Sequence, residues 1–207
     1  ESKIISWVKT AEKASTAAKN VHLISDSFLI PELGRTRKIW IYLPPDYETG
    51  KKKYPVIYMQ DGQNLFDNST SFSGEWEIDE TLNKLFSKGD SGAIVVGIDN
   101  GGNHRIDEYS PWKNPNYGGG EGDLYAGFLA KTLKPYIDKN YRTLQNAKNT
   151  ALIGSSMGGL ISFYTGLKYP EKFRKLGIFS PSFWFAEADL KSFIQKNSKN
   201  FKKTQIL

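Results

Sequence analysis

Gly154-Ser155-Ser156-Met157-Gly158 matches the pattern Gly-x-Ser-x-Gly, between the apolar run Ala151-Leu152-Ile153 and a segment carrying Leu160, Ile161, Tyr164 and Leu167 at helical spacing. A strand that turns sharply into a helix at such a sequence lifts one serine hydroxyl clear of its own backbone. Glycines two before and two after it let the strand and helix approach without a Cβ clash. Ser156, not Ser155, occupies the tip of this nucleophile elbow. A Gly/Ser-rich loop can carry the same five residues by chance, but the strand-like and helix-like flanks favour the elbow.

A serine hydroxyl is a weak nucleophile at neutral pH, so it needs a base to take its proton and donors for the oxyanion formed on a carbonyl. In elbow geometry one donor is the backbone N–H of the next residue, Met157, and another comes from the loop after an earlier strand. Gln60-Asp61-Gly62-Gln63-Asn64 follows such a strand, and Gly62 would allow the bend that turns the Gln63 amide inward. The alternative for this segment is an ordinary Asp-Gly turn. Asp61, Asn64 and Trp76 are candidate pocket residues, with Trp76 equally suited to a core.

The base is harder to place. The two histidines, His22 and His104, both precede the serine, whereas the expected chain order is serine, acid, histidine. His104 reads as a loop histidine in preference to a substitute base. Glu187 and Asp189 could orient a histidine but read better as solvated residues at a helix start, and Arg105, Asp107 and Glu108 are expected to form surface pairs.

These residues need a scaffold. Short apolar runs at residues 56–59, 93–98, 151–153 and 175–179 read as buried strands, and residues 21–24 and 38–43 as antiparallel strands at a sheet edge. Helical spacing recurs at Ile78, Leu82, Leu85 and Phe86, at Phe128, Leu129, Leu133 and Ile137, and over residues 188–195. Asp123 is expected to cap the second of these helices and Pro135 to kink or shorten it. Ile4, Val8 and Ala11 allow a helix or loose arm over residues 1–20, ahead of one domain over 21–207. Alternating strands and helices imply a mostly parallel sheet covered on both faces, with sites at the carboxyl ends of its strands.

The composition narrows the possibilities. The chain has 207 residues, 14% aromatic content and no cysteine, which allows one sizeable core and excludes disulfides and thiolate-held metal. No histidine-rich or glycine-rich cluster reads as a metal or phosphate site, so no metal or cofactor is expected. The net charge of +6 includes Lys191, Lys196, Lys199, Lys202 and Lys203, which fit a solvated helix face better than nucleic-acid binding. No run approaches the roughly 18 apolar residues of a membrane span.

Ile41-Tyr42-Leu43-Pro44-Pro45, Tyr58-Met59-Gln60-Asp61-Gly62-Gln63-Asn64, Glu108-Tyr109-Ser110-Pro111, Tyr141-Arg142-Thr143, the elbow with Gly159-Leu160, and Phe179-Ser180-Pro181-Ser182-Phe183-Trp184 occur in an order that resembles the α/β-hydrolases. The branch they resemble is the esterase D or enterochelin-esterase-like one, which also holds feruloyl and acetyl-xylan esterases and mycolyltransferases. The resemblance runs from about residue 21 to residue 185. It implies an α/β-hydrolase fold and a cofactor-free serine esterase that acylates Ser156, with the Met157 and Gln63 amides as oxyanion hole. The implied substrate is an acylated carbohydrate or a siderophore ester, and transfer to a sugar instead of water uses the same chemistry. Members of the family carry the acid after the strand that begins near Thr204 and the histidine later still. The domain is therefore expected to be C-terminally incomplete, with both residues beyond Leu207. The rival expectation is a hydrolase-fold module that binds without cleaving. Which ester is used and the oligomeric state are left open.

Overall fold

The computed structural model describes residues 13–207, so the expected N-terminal helix or arm falls mostly outside the described residues. Residues 13–18 have no regular secondary structure and lead into an antiparallel pair, β1 (Val21–Ile30) and β2 (Arg35–Tyr42). Then follow β3 (Val56–Gln60), α1 (Ile78–Ser87), β4 (Ile94–Ile98), α2 (Arg105–Glu108) and a small hairpin of β5 (Lys113–Asn114) and β6 (Gly118–Gly119). The chain continues through α3 (Gly122–Gly127), α4 (Lys134–Asn140), β7 (Thr150–Ser155) and α5 (Met157–Lys168). It closes with β8 (Lys175–Phe179), α6 (Glu187–Lys196), α7 (Ser198–Phe201) and β9 (Gln205–Ile206).

Among the described residues, seven strands form one sheet in the order β1-β2-β4-β3-β7-β8-β9, with β4, β3, β7, β8 and β9 mutually parallel. The carboxyl ends of the parallel strands therefore share one edge. Side chains alternate between faces along a strand, and the two faces carry two cores. Val56 and Tyr58 of β3, Ile94, Val96 and Ile98 of β4 and Leu152 of β7 join one core with Phe128, Leu133, Leu160 and Leu167 from the helices. Ile57, Met59, Val95 and Ile153 face the other way and pack with Leu65, Phe66 and, from α1, Ile78 and Leu82. This is the expected mostly parallel sheet with helices on both faces. α5 is buried from Met157 to Leu167, as befits a helix without a polar face.

Two local expectations are corrected, and a third takes a particular form. Asp123 lies in the first turn of α3, but its carboxylate accepts from the Tyr164 hydroxyl at 2.6 Å and pairs with Lys168 instead of capping the helix. Pro135 does not end its helix. A π-helical segment, Phe128–Leu133, precedes it, with the Lys134 N–H reaching back to the Leu129 carbonyl, and this widened turn accommodates a residue that lacks an N–H before the chain continues helical to Asn140. Glu108 is not a surface residue: it is fully buried and pairs with Arg37 at 2.6 Å and Arg35 at 3.1 Å, which fastens α2 to β2. Asp107 likewise turns inward along the chain, accepting from the Gly119 N–H at 2.7 Å.

Arg37 is only 7% exposed, so removing its carboxylate would strand a buried charge. Glu108→Ala is expected to lower the unfolding free energy by roughly 3–5 kcal/mol in urea titration. Replacing both partners, Arg37→Met with Glu108→Leu, should recover most of that loss. A single variant within about 0.5 kcal/mol of the parent would show that the pair contributes little.

Candidate active site

The elbow forms where β7 hands over to α5. A Cβ on Gly154 would collide with the Gly158 carbonyl, so that glycine is required by space, while one on Gly158 would press to 3.1 Å on Asp61 Oδ2, a tight fit that the carboxylate would have to yield to. The turn holds Ser156 at φ 55° and ψ −123°, a backbone conformation that non-glycine residues rarely adopt and that costs of order 1–3 kcal/mol. Three hydrogen bonds hold it there. The Ser156 N–H donates to the Phe179 carbonyl at 3.0 Å, and the Ser156 carbonyl accepts from Leu160 at 3.1 Å and Ser182 at 3.0 Å. Its hydroxyl is exposed and 3.0 Å from the buried Ser182 hydroxyl, a neighbour not anticipated from the sequence.

Ser156 opens onto a cavity of about 770 Å³ lined by residues from the carboxyl ends of β3, β4 and β7, with Asp61, Gln63, Asn64, Trp76, Asp99 and Arg105 among them. All the lining candidates named from the sequence thus converge on one space. Met157 is buried at the first position of α5, where its amide has no acceptor within its own helix. Gln63 sits in a 3-10 turn, Gly62–Asn64, and is clamped by Thr70 Oγ1 on its carbonyl at 2.8 Å and by the Asn100 N–H on its side chain at 3.2 Å. The left-handed bend before it belongs to Asp61, at φ 56°, and not to Gly62. Gly62 is needed for room, since a Cβ there would lie 2.7 Å from the Ile98 backbone.

Asp61 is not a free pocket carboxylate. Arg105 grips both its oxygens, at 2.7 and 2.9 Å, and Asn100 donates to one of them at 2.7 Å. Burial alone would disfavour the Arg105 charge, but the hydrogen bonds to Asp61 and the attraction of its charge together outweigh that, leaving the guanidinium above its usual pKa. The Tyr109 hydroxyl, whose pKa burial pushes well up, accepts from the Asp61 N–H at 3.2 Å. Arg105 therefore joins the loops after β3 and β4 instead of forming a surface pair.

Asn64 works on the cavity wall. Its side-chain oxygen accepts from the Phe72 N–H at 2.9 Å and its carbonyl from the Trp76 N–H at 2.8 Å, so one residue fixes both ends of segment 72–76. Trp76 meets Phe179 edge-on, with ring centroids 6.1 Å apart, and lines the cavity; Phe72 is 93% exposed.

Neither histidine joins Ser156. His22 is exposed on the edge strand β1, with three strands between it and β7, and His104 is exposed in a 3-10 turn beside the cavity but outside its lining. Glu187 and Asp189 stand exposed in the first turn of α6, Glu187 paired with Lys191 at 2.5 Å, in keeping with a solvated helix start.

A family model described as "Putative esterase" matches residues 30–207. The uncharacterized protein YbbA of Bacillus subtilis (strain 168) is 32% identical over 158 residues, covering 73% of this chain and 59% of that protein. An endo-1,4-beta-xylanase/feruloyl esterase of Xylanibacter ruminicola is 26% identical over 78% of this chain and 22% of its own. Among solved structures, an IroE-like serine hydrolase from Shewanella oneidensis superposes with a TM-score of 0.67 at 24% identity, over 86% of this chain and 55% of that one. Likeness at that identity establishes a shared fold. The chain spans about three fifths of the length of the first curated relatives it matches.

Asp99, unremarked in the sequence, gives the cavity a titratable wall. Burial pushes its carboxyl up to about 6, against the opposing influence of the Trp40 indole N–H at 2.9 Å. The folded value lies above the ordinary 3.8, so the fold favours the protonated form. That contribution to stability is complete below about pH 4 and is lost as pH rises through about 6. Asp99→Asn keeps an acceptor for Trp40 but cannot ionise. It is expected to raise stability at pH 8 by roughly 1–3 kcal/mol and to leave it unchanged near pH 4 in urea titrations. An equal gain at both pH values would contradict this.

Proposed function

The chain belongs to the esterase family whose model spans residues 30–207, and from that premise we propose that it is a serine esterase acting through an acyl-enzyme on Ser156. The observation that carries the reading is the exposed Ser156 hydroxyl on a strained elbow, opening onto a cavity whose other rim holds the Gln63 turn. The Ser156 oxygen attacks the ester carbonyl while a base takes its proton. The Met157 and Gln63 amides hold the resulting oxyanion. Collapse of the tetrahedral intermediate expels the alcohol, which takes up the proton, and water then releases the acid from the serine.

In this reading residues 21–207 form one hydrolase domain, and the acid and histidine come from a part of the protein beyond Leu207. The length of the relatives is consistent with that. Asp61 serves to position the Gln63 turn, while Trp76 and Asn64 shape the substrate wall. The ester is that of an acylated carbohydrate, the reading the feruloyl esterase relative favours, or of a siderophore. A non-catalytic module draws no support from the relatives.

Hydrolysis of p-nitrophenyl acetate by the full-length protein, compared with Ser156→Ala, tests the reaction. Loss of at least about 10³-fold in kcat, with fluorophosphonate labelling confined to the parent, is expected. Turnover that survives Ser156→Ala would overturn the assignment. Release of ferulate from a feruloylated arabinoxylan fragment, against cleavage of a siderophore ester, then separates the substrate classes.

A further inference from the structure

Beside the cavity wall, folding brings together three carboxylates that the sequence does not mark as a cluster. Glu75, Asp79 and Glu80 each offer an oxygen within 4.8 Å of the other two. Asp79 is fully buried. Its Oδ2 accepts from the Ala18 N–H at 2.7 Å, while Oδ1 has no hydrogen-bond partner among the described residues. Glu75 repeats the pattern, with one oxygen accepting from Thr16 Oγ1 at 2.7 Å and the buried Oε1 left without a partner. No Lys or Arg among the described residues pairs with any of the three.

Asp79 and Glu80 open α1, and negative charge at a helix start is favourable by about 0.3–1 kcal/mol. That accounts for acidic residues at these positions but not for burying a carboxylate oxygen that meets no N–H, hydroxyl or cation, beside a Glu80 carboxyl whose pKa burial and the neighbouring Asp79 push up, an arrangement that costs several kcal/mol. The backbone is bent to produce the cluster: Glu77, between Glu75 and Asp79, adopts the left-handed conformation at φ 51°, ψ 44° without glycine's freedom. The site holds three carboxyl oxygen donors and no histidine or cysteine, the donor set of a hard cation.

We propose that Glu75, Asp79 and Glu80 bind a divalent cation of the Ca²⁺ class, with water completing its shell. Ca²⁺ suits the set better than Mg²⁺ because it tolerates irregular carboxylate geometry and sheds its water more readily. The site is structural. It ties residues 15–18, which reach Asp67, Glu75 and Asp79, to the start of α1 and to Glu75, the neighbour of cavity-lining Trp76. Binding would fix the wall that Asn64 clamps from the other side, whatever chemistry the cavity performs.

Chelator-treated full-length protein, titrated with Ca²⁺ and separately with Tb³⁺, tests this without reference to activity. A rise in Tm of roughly 5–10 °C at a hundredfold excess over Kd is expected, with Tb³⁺ luminescence sensitised through Trp76 and displaced by Ca²⁺. Asp79→Asn should weaken Ca²⁺ binding at least tenfold. If that variant does not fold, Glu80→Gln, at an exposed position, and Glu75→Gln serve instead. Absence of any Ca²⁺-dependent Tm shift or Tb³⁺ signal in the parent protein would overturn the proposal, as would unchanged affinity in the Glu75 and Glu80 variants. A Tm that follows pH but ignores Ca²⁺ would mean that the carboxyls share a proton, which also overturns it.

Discussion

The near-contact of Gly154 with Gly158 is the constraint on which the site depends. It lets β7 run straight into α5 with no room for a side chain at Gly154 and little at Gly158, and it goes with a backbone conformation at the intervening Ser156 that the residue would not choose. The strain is held by tertiary structure on three sides. Phe179 at the end of β8 accepts the serine's N–H, Ser182 returns a hydrogen bond to its carbonyl, and α5 is buried along nearly its whole length. Loosening any of these would let the turn relax and lower the hydroxyl back toward the sheet.

The elbow is keyed to its neighbours through Asp61. Gly158 leaves just enough space for that carboxylate, which is itself fixed by Arg105 and Asn100 from the loop after β4. Asp61 also carries the left-handed turn that starts the Gln63 segment. One charged group thus ties together the loops after β3 and β4 and packs against the elbow after β7, where the strands' carboxyl ends share an edge. A carboxylate so fully engaged is better suited to holding the loops in register than to meeting substrate.

Features set by local pattern were legible in the sequence. Apolar runs gave β3, β4 and β8 nearly to the residue, helical spacing gave α1 and α6, and the elbow was evident from five residues and their flanks. What escaped depends on pairings distant along the chain. Glu108 reads as a surface acid until β2 places Arg37 against it, and Arg105 as its neighbour until Asp61 swings round at positive φ. Asp99 looks like any polar residue after a strand, and only burial beside Trp40 gives it an unusual pKa. Ser182 reaches Ser156 through the left-handed turn at Ser180, a backbone feature with no glycine to announce it. Glu75 and Asp79 converge for the same reason, across Glu77.

The sheet order also restricts where a base could act in the proposed reaction. β7 has β3 on one side and β8 on the other. The β3 side is filled by Asp61 and the Gln63 turn, which would supply the oxyanion donor. A group that takes the serine proton must lie away from that donor, because the attacked carbonyl sits between them. The flank toward β8 and β9 is what remains, and there the Ser156 hydroxyl now meets Ser182 at 3.0 Å. A second hydroxyl can accept a hydrogen bond but is no base at neutral pH, so it marks the direction of proton departure without performing the transfer. A histidine carried by chain following β9 would approach along this flank, whereas His22 and His104 would have to cross the sheet or the oxyanion turn to reach it.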